Sequence, residues 1–398
     1  MATADAVVIG AGVMGASIAF HLARAGLRRV AVVEQGEVAG ASTGRSGALV
    51  RMHYTNAPEA RLALASLAYF HHWGDLVGGR DGDCGFRRTG FAMLVGPANA
   101  GRLRRTVAML QALGVNTRLV EPAELRALQP GIAVDDLALA AYEPDSGYAD
   151  PVATTRAFLA AARARGATLQ EQTPVTGIRV TGGRVAGVAT AAGPIDAPVV
   201  VCAAGCWNDR VAATAGVAVP ITPVRSQWAL YRRPPALAGG HLVLIDTALG
   251  VYTRPHGDDL TLAGLAAAEV GRPADPDRFD GDNDPDYPAR VLAQLGRRLP
   301  ALRAQPYVRG CAGLYDLSPD TRAIIDRAPG VDGLYLAAGF SGTGFKKSPA
   351  VGLGLAELIT AGRATTVDLH PFRAGRFAEG DTDWGEEYEL PAAWGHRF

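Results

Sequence analysis

The strongest constraint on the fold of this chain is a glycine-rich turn near its start, between two short apolar runs. The runs are Ala6–Ile9 and Val30–Val33, and each is unbroken, as in a strand buried on both faces of a parallel sheet. Gly10, Gly12 and Gly15 follow the first run in G-x-G-x-x-G spacing. The residues between Gly15 and the second run have apolar side chains at helical spacing. The pattern predicts a strand, a helix and a second parallel strand, with a turn that can hold a dinucleotide.

Each residue of this turn has a physical role in that interpretation. Gly10 permits the tight turn, Gly12 lets a pyrophosphate approach the backbone, and Gly15 lets the helix pack closely on the strand. The N–H groups at the start of the helix would face the phosphates. Glu34, which ends the second strand, could accept hydrogen bonds from ribose hydroxyls, and its charge would repel a 2′-phosphate. The turn by itself leaves FAD and NAD as alternatives.

The composition narrows the class of protein. The 398 residues carry no net charge and 48% of them are hydrophobic, as in an ordinary globular protein of two or three domains. There is no basic excess to bind nucleic acid, and no apolar run approaches the roughly 20 residues of a membrane span. Residues 1–5 lead straight into the first strand and leave no room for a signal peptide. We therefore expect a cytoplasmic protein with neither a nucleic-acid partner nor a membrane span.

The four cysteines, Cys84, Cys202, Cys206 and Cys311, do not have the spacing of a metal site. Cys202 and Cys206 are separated by three residues, but no second pair exists that would complete a zinc site. We expect no metal, and we expect the cysteines to be reduced thiols.

Patterns typical of buried parallel strands recur far apart in the chain, at 6–9, 199–203 and 334–338, with antiparallel patterns between them. The predicted fold class is α/β: a discontinuous Rossmann-like nucleotide-binding domain with an inserted α+β substrate domain built on an antiparallel sheet. The predicted nucleotide-binding domain comprises residues 1–84, 145–218 and 320–372. The substrate domain comprises residues 85–144 and 219–319, and residues 373–398 form a C-terminal tail without a clear pattern.

Three further motifs follow the glycine turn. They are S-T-G-R-S-G at 42–47, followed by Arg51, V-C-A-A-G-C-W at 201–207, and A-A-G-F-S-G-T-G-F-K at 337–346. Together with the turn they resemble, over nearly the whole chain, the D-amino-acid oxidase superfamily of FAD enzymes. The most similar group is that of sarcosine oxidase, dimethylglycine dehydrogenase and glycine oxidase. The resemblance implies FAD as the cofactor, and the single G-x-G-x-x-G leaves no second dinucleotide site for NAD(P)H.

The resemblance also implies which residues contact FAD. Carried over residue by residue, they are Gly10, Gly12, Val13, Met14, Gly15, Glu34, Gln35, Ser42, Thr43, Arg45, Ser46, Val175, Ala204, Gly205, Trp207, Gly313, Gly339, Gly342, Thr343, Gly344, Phe345 and Lys346. The helix that begins near Ser348 would point its N-terminal dipole at the N1–C2=O edge of the flavin. Because that edge becomes anionic on reduction, the dipole would favour reduction.

A second set of residues is expected to hold the substrate. In this family an arginine and a lysine bind the substrate carboxylate, and they match Arg51 and Lys346. Tyr315 matches a tyrosine that lines the substrate cavity, and Tyr252 lies near another such position. Lys347 is expected to be solvated.

The activity that the resemblance implies is FAD-dependent oxidation of the C–N bond of an amino acid or N-alkyl amino acid. A hydride would pass from the carbon next to nitrogen to flavin N5, and the imine product would hydrolyse. The expected partners are therefore a small amine or amino acid with a carboxylate, and O₂ or a redox partner as electron acceptor. We expect desolvation of the amine, rather than a dedicated base, to supply its deprotonation.

The sequence departs from that of the sarcosine oxidases at four positions near the flavin. Their covalent flavin cysteine falls at Gly313, with Cys311 out of register, so we predict non-covalent FAD. Their lysine that speeds reaction with oxygen falls at Thr261, which favours a dehydrogenase over an oxidase. A histidine falls at Thr343 and a second arginine at Ala48, so the predicted pocket is not that of sarcosine.

Two other interpretations are open. One is a 2-hydroxy acid dehydrogenase on the same fold, in which a base such as His53 or His256 would remove the proton of the alcohol. The other is a flavin-holding subunit or binding module of a larger oxidoreductase complex. Its contact surfaces would be the acidic loop at 275–286 and the polar tail after Phe372.

Overall fold

The computed structural model describes residues 2–78, 83–265, 272–385 and 387–388. Its helices are α1 (Val13–Arg24), α2 (Ala57–His71), α3 (Trp73–Leu76), α4 (Ala100–Ala112), α5 (Pro122–Leu128), α6 (Pro151–Arg163), α7 (Asn208–Ala213), α8 (Tyr287–Arg298), α9 (Ser348–Ala361) and α10 (Arg376–Glu379). Its strands are β1 (Ala2–Thr3), β2 (Ala6–Ile9), β3 (Val30–Val33), β4 (Leu49–Val50), β5 (Phe91–Val95), β6 (Arg118–Val120), β7 (Leu139–Glu143), β8 (Gly147–Tyr148), β9 (Thr168–Gln170), β10 (Val175–Thr181), β11 (Arg184–Thr190), β12 (Ile195–Asp196), β13 (Val200–Cys202), β14 (Thr222–Arg232), β15 (Val243–Asp246), β16 (Val251–His256), β17 (Leu260–Leu265), β18 (Tyr307–Leu317), β19 (Ile324–Arg327) and β20 (Leu334–Ala338). Among these residues no helix has the length and apolar character that crossing a bilayer requires.

The glycine turn follows β2 in the middle of a six-stranded sheet with the order β19-β20-β13-β2-β3-β9. Neighbouring strands are parallel except at one edge, where β19 pairs antiparallel with β20. Helices α1, α6 and α9 pack on one face, and the small sheet β1-β12-β11-β10 packs on the other. Because both faces are covered, every residue of β2, β3 and β20 is buried, which explains their unbroken apolar runs.

A second, eight-stranded sheet has the order β18-β14-β17-β16-β15-β5-β7-β6. Its neighbours are antiparallel except β15 and β5, which are parallel. Helix α8 packs on one face through Tyr287, Val291 and Leu295. The opposite face presents Trp228 and Tyr252 to a cleft between the two large sheets. For this sheet the apolar and alternating patterns of the sequence predict strands at 91–95, 224–231, 241–245, 250–254, 260–264 and 308–315. They do not predict β6 and β7.

Short contacts hold the segment before Arg51 between the two large sheets. Leu49 and Val50 form β4, which pairs antiparallel with β8. From the eight-stranded sheet, the Nε of Arg254 donates a hydrogen bond to the carbonyl oxygen of Gly47. Arg51 therefore follows a piece of backbone that is fixed on both sides.

The predicted α/β fold class is confirmed. The six-stranded sheet draws its strands from within residues 1–84, 145–218 and 320–372, and the eight-stranded sheet from within 85–144 and 219–319. The domain boundaries themselves stay a prediction.

The described part of the C-terminal tail packs against the six-stranded sheet domain. Arg376 in α10 is buried and donates hydrogen bonds to both carboxylate oxygens of Asp320. Trp384 donates from Nε1 to the same carboxylate at 2.9 Å, and its ring lies 5.5 Å from that of Phe372. The sequence did not predict this order, because it depends on partners more than 50 residues away. Residues 386 and 389–398 of the predicted tail lie outside the described residues.

Helix α1 lies so close to β2 that Gly15 has no room for a side chain. A Cβ there would be 1.9 Å from the carbonyl oxygen of Gly10. We expect Gly15→Ala to lower the free energy of unfolding by about 3 kcal/mol or more, because relief requires moving the helix off the strand. The measurement is chemical denaturation, with Gly101→Ala as the control. Gly101 is exposed near the start of α4, and its added Cβ would meet only Arg105 Nη1, at 3.6 Å. Equal stability of the two variants would contradict the close packing.

Candidate active site

The cleft between the two large sheets contains most of the residues that were predicted to contact FAD. Those that line it are Gly10, Gly12, Val13, Met14, Glu34, Gln35, Ser42, Thr43, Arg45, Ser46, Val175, Ala204, Gly205, Trp207, Gly313, Gly342, Thr343, Gly344, Phe345 and Lys346. Gly15 and Gly339 do not line it. Gly15 instead supports the turn from behind, and an added Cβ at Gly339 would meet Ser318 at 3.1 Å.

One end of the cleft is formed by the glycine turn and the start of α1. Gly10 has φ of +104°, and an added Cβ would lie 2.5 Å from the carbonyl oxygen of Ala203. The first intrahelical bond runs from Ala16 N to Gly12 O, at 2.9 Å. Among the described residues, the N–H groups of Val13, Met14 and Gly15 therefore lack partners within the helix. Of these three, that of Val13 is the one that bonds to a side chain, Thr43 Oγ1 at 3.1 Å. This end offers N–H donors and a positive dipole to an anionic group.

Glu34 lies beside this helix start. Its carboxylate oxygens accept hydrogen bonds from the backbone N–H groups of Ala11, at 2.7 Å, and Gly36, at 2.8 Å. Each oxygen uses one acceptor position in this way and keeps further capacity on the cleft side. The side chain is thus held in place to accept hydroxyl groups, as predicted for a ribose.

The loop at 39–47 crosses from the six-stranded sheet to the eight-stranded sheet. Ser42 Oγ donates to the carbonyl oxygen of Leu314 in β18 at 2.8 Å. The indole Nε1 of Trp228 in β14 donates to the carbonyl oxygen of Arg45 at 2.7 Å. These bonds hold the backbone of the loop along the middle of the cleft.

The last motif forms the opposite wall. Gly342 has φ of +79°, and a Cβ there would lie 2.8 Å from the ring of Tyr315. Thr343 Oγ1 donates to the carbonyl oxygen of Phe340 at 2.9 Å. A 3₁₀ turn, Phe345–Lys347, then leads into α9. The turn presents Lys346 to the cleft just ahead of the helix.

Two buried cations, Arg51 and Lys346, line this end of the cleft. Arg51 Nη1 donates to the carbonyl oxygen of His53, and the Arg51 guanidinium carbon lies 4.6 Å from the centre of the Tyr54 ring. Lys346 Nζ lies 5.9 Å from the same ring centre. Within the part of the chain that the structure describes, neither cation forms an ion pair with a carboxylate. Burial, with the charges of Arg51 and Lys347, lowers the pKa of Lys346 to about 8.

Lys347 is buried, in contrast to the solvated position that was expected. Its Nζ lies 2.5 Å from Glu59 Oε1 and 2.7 Å from Thr343 Oγ1. The other oxygen of Glu59 lies 3.0 Å from the Nε of Arg322. Burial alone would raise the pKa of Glu59, but these two cations lower it to about 2. Lys347 and Arg322 are therefore charge-compensated, and Arg51 and Lys346 are not.

The two predicted tyrosines both line the cleft. Tyr252 lies on β16, where a Cβ added at Gly264 would be 2.4 Å from its hydroxyl oxygen. Tyr315 lies on β18 against Gly342. Burial raises the pKa of both Tyr252 and Tyr315. Both phenols therefore stay protonated and can donate a hydrogen bond.

The predicted histidines do not line the cleft. His53 is fully buried, with its Nε2 2.7 Å from the hydroxyl of Tyr388 and its Nδ1 3.9 Å from Glu143. Burial, then the charge of Arg51, lowers the pKa of His53 to about 3, so the ring is neutral. Burial also lowers the pKa of His256 to about 4. The structure brings neither ring to the place where a proton would be removed.

Cys311 and Thr261 also lie away from the cleft lining. Gly313 does line it, and an added Cβ there would be 2.9 Å from the Cβ of Arg45. Cys311 is a partly exposed free thiol whose pKa is raised to about 11 by burial. Thr261 is buried, and its hydroxyl is hydrogen-bonded to His241 Nε2 at 3.0 Å. The charge argument that linked Thr261 to oxygen reactivity therefore has no support in the geometry.

Among the cleft-lining residues that sequence reasoning missed are Tyr54, Glu59 and Arg322. The Tyr54 hydroxyl is buried without a hydrogen-bond partner among the described residues. Burial would raise its pKa, but the three cations around the ring lower it below the usual range. Only the position of Tyr54 three residues after Arg51 could have indicated it, while Glu59 and Arg322 meet through a contact that spans 263 residues of sequence.

The residues of the cleft fit FAD. The start of α1 supplies N–H donors for a pyrophosphate, and Glu34 supplies acceptors for ribose hydroxyls. Gly342 and Gly344 leave space at the wall where a flat ring would lie. Two protonated tyrosines and two unpaired cations surround that wall.

Comparisons with known proteins agree with this fit. The mitochondrial sarcosine dehydrogenase of Homo sapiens is 30% identical over 390 residues, which cover 96% of this chain and 42% of that protein. The glycine oxidase of Geobacillus kaustophilus is 28% identical over 94% of this chain and 97% of that protein. The crystal structure of L-proline dehydrogenase from P. horikoshii superposes with a TM-score of 0.87 at 28% identity, over 95% of this chain and 99% of that one.

The chain spans about two-fifths of the length of the human sarcosine dehydrogenase. It matches the family described as FAD dependent oxidoreductase (DAO) over residues 5–358. The predicted cofactor, FAD, and the predicted class of enzyme, an oxidoreductase, are confirmed. This chain belongs to the DAO family of FAD-dependent oxidoreductases.

Proposed function

We propose that this protein oxidises the C–N bond of an amino acid or N-alkyl amino acid that carries one carboxylate. The observation that carries the proposal is that Arg51 and Lys346 are buried, line the cleft and have no carboxylate partner among the described residues. Buried cations without an anionic partner are costly to fold, so they are retained where they bind an anion. Relatives named for sarcosine, glycine and L-proline, each an amino acid, support the same class of substrate.

Different residues of the cleft have different roles in the proposed reaction. Arg51 and Lys346 bind the carboxylate by charge-assisted hydrogen bonds and so fix the neighbouring carbon. Tyr252 and Tyr315 pack against the amine and exclude water from it. The amine reacts in its neutral form, and its removal from water favours that form. We propose that FAD binds non-covalently. When bound, it would accept the two electrons that leave the carbon of the C–N bond.

The product of this oxidation is an imine, which water hydrolyses to an amine and an aldehyde or keto acid. The reduced enzyme passes its electrons to O₂ or to a redox partner. Cys311 lies outside the cleft lining, which supports non-covalent FAD. Thr261 lies outside the cleft lining as well. The threonine at that position therefore gives no reason to favour a dehydrogenase over an oxidase.

The geometry favours an amine over a 2-hydroxy acid as substrate. An alcohol needs a base to remove its proton, and the two histidines considered for that role, His53 and His256, do not line the cleft.

A role as a binding subunit has less support as well. In the acidic loop, Asp275 and Asp277 pair with Arg210, and Asp284 pairs with Arg225, so these charges are bound within the chain.

The first test is an anaerobic absorbance titration of the yellow holoenzyme with amino acids, N-methyl amino acids and 2-hydroxy acids, followed by air. We expect bleaching by an amino acid or N-alkyl amino acid and not by its 2-hydroxy analogue. Fast recovery with peroxide in air would identify an oxidase, and slow recovery a dehydrogenase. Bleaching by hydroxy acids alone, or by none of the compounds, would overturn the amine proposal.

Substitution of the two unpaired cations tests the carboxylate site. We expect Arg51→Ala and Lys346→Met each to lower kcat/KM for the carboxylated substrate about 10- to 100-fold, because each removes a charge-assisted hydrogen bond. Arg363→Ala, which removes an exposed cation beyond the end of α9, is the matched control and should leave kcat/KM unchanged. Unchanged turnover in both cleft variants would show that the carboxylate binds elsewhere.

The lowered pKa of Lys346 predicts how carboxylate affinity depends on pH. Propionate, which has no amine to titrate, should bind tightly at pH 6–7 and more weakly as the pH rises through about 8, where Lys346 loses its charge. The measurement is the flavin absorbance change on titration. Lys346→Arg should remove this loss up to about pH 10, because arginine stays protonated. A loss that persisted unchanged in Lys346→Arg would assign the titration to another group.

A further inference from the structure

The last described residues, 387–388, lie near the end of the cleft that Arg51, Lys346 and Arg322 line. Glu387 accepts a hydrogen bond from the Nη2 of Arg322. The next residue, Tyr388, is buried with its hydroxyl 2.7 Å from His53 Nε2. Earlier in the same segment, Trp384 donates to Asp320. These contacts hold Glu387 in position beside the cleft.

Arg322 is a third cation of the cleft lining, and it differs from Arg51 and Lys346 in having two carboxylate partners, Glu59 and Glu387, among the described residues. Its Nε faces Glu59 at 3.0 Å, and its Nη1 donates to Thr321 Oγ1 at 2.7 Å. Its Nη2 donates the hydrogen bond to Glu387. Glu59 is buried and shared with Lys347, so it is a fixed structural partner. Glu387 is one-third exposed and is bonded to a residue of the cleft lining, so of the two carboxylates on Arg322 it is the more accessible.

We propose that Glu387 determines substrate specificity by occupying the Arg322 guanidinium, so that the cleft accepts a substrate with one carboxylate and rejects one with two. The inference rests on the proposed function, in which Arg51 and Lys346 bind the first carboxylate. A second carboxylate meets an Arg322 whose charge Glu59 and Glu387 already compensate, and it is repelled by Glu387. The substrate class is thereby narrowed to amino acids and N-alkyl amino acids whose remaining groups are uncharged.

Replacing Glu387 reverses both effects. Glu387→Gln removes the negative charge, and Glu387→Ala also frees the Nη2 donor. A second carboxylate then meets an Arg322 whose remaining N–H groups can bind it in a charge-assisted pair. Arg51 and Lys346 are unchanged by either substitution, so binding of the first carboxylate is retained.

The test uses two non-oxidisable probes that differ by one carboxylate, propionate and succinate, titrated into the FAD holoenzyme while flavin absorbance is followed. We expect the unsubstituted protein to bind succinate no more tightly than propionate. In Glu387→Gln and Glu387→Ala, succinate should bind at least tenfold more tightly than in the unsubstituted protein, and propionate within about twofold of it. Retained propionate binding shows that the variants are folded.

Asp383→Asn provides a matched control. Asp383 is exposed on the same segment, and its Oδ1 accepts from the N–H of Gly385, a bond that asparagine can keep. The variant makes the same change of charge away from Arg322 and should leave both affinities unchanged. Tighter succinate binding in Asp383→Asn equal to that in Glu387→Gln would assign the effect to overall charge and overturn the inference.

The remaining outcomes separate the inference from the proposed function. If propionate binds but succinate gains nothing in either Glu387 variant, the specificity role is wrong and the carboxylate site stands. If both probes weaken together in both variants, Glu387 only fastens the segment, and the specificity role is again wrong. If propionate fails to bind the unsubstituted holoenzyme, the proposed function is overturned, and this inference with it.

Discussion

The close contact between Gly15 and the carbonyl oxygen of Gly10 holds α1 against β2, and the geometry of the cleft depends on it. On its other side α1 meets α9 just as closely. Ser17 Oγ donates to the carbonyl oxygen of Ser348 at 2.7 Å, and a Cβ added at Gly352 would lie 2.3 Å from Ser17 Oγ. Since α9 begins directly after Lys346 and Lys347, one line of small-residue contacts fixes the start of α1 relative to Lys346.

Charge balance is the second constraint on the cleft. Two of its buried cations, Lys347 and Arg322, share the carboxylate of Glu59, whose low pKa records how strongly they stabilise it. Arg51 and Lys346 have no such partner within the described residues, and burial together with the neighbouring cations lowers the pKa of Lys346. Removing a charge from water is costly unless an opposite charge replaces the water. Among the described residues, the protein therefore compensates Lys347 and Arg322 and leaves uncompensated the two cations that we propose to bind the substrate carboxylate.

The sequence predicted the parts of this molecule that depend on local pattern. The turn at Gly10, the acid at Glu34 and the helix after Ser348 are local patterns, and the structure has each where it was predicted. Strand β7 was missed. Its residues are almost all buried, so they show no alternation of apolar and polar types. Its neighbours in the sheet, β5 and β6, lie elsewhere in the sequence and pair with it only after folding.

The candidate site was predictable to the same extent. The resemblance to a family supplied Arg51, Lys346 and the tyrosines, but a family match cannot say which cations are paired. Lys347 was taken for a solvated residue because its partner, Glu59, lies 288 residues away. His53 was considered as a base in the 2-hydroxy acid interpretation because burial cannot be read from one residue type. Both errors concern charge in a folded interior, which depends on long-range contacts.

The hydrogen bond from Arg51 to the carbonyl oxygen of His53 has a consequence for the kinetics of binding. An arginine side chain in water samples many rotamers, and ordering it costs free energy at the moment of use. Here the side chain is held by its own backbone two residues along, and the preceding backbone is held by β8 and Arg254. That loss of freedom occurs during folding rather than during binding. In the proposed function, Arg51 therefore receives a carboxylate as a rigid receptor, and less conformational entropy is lost on binding.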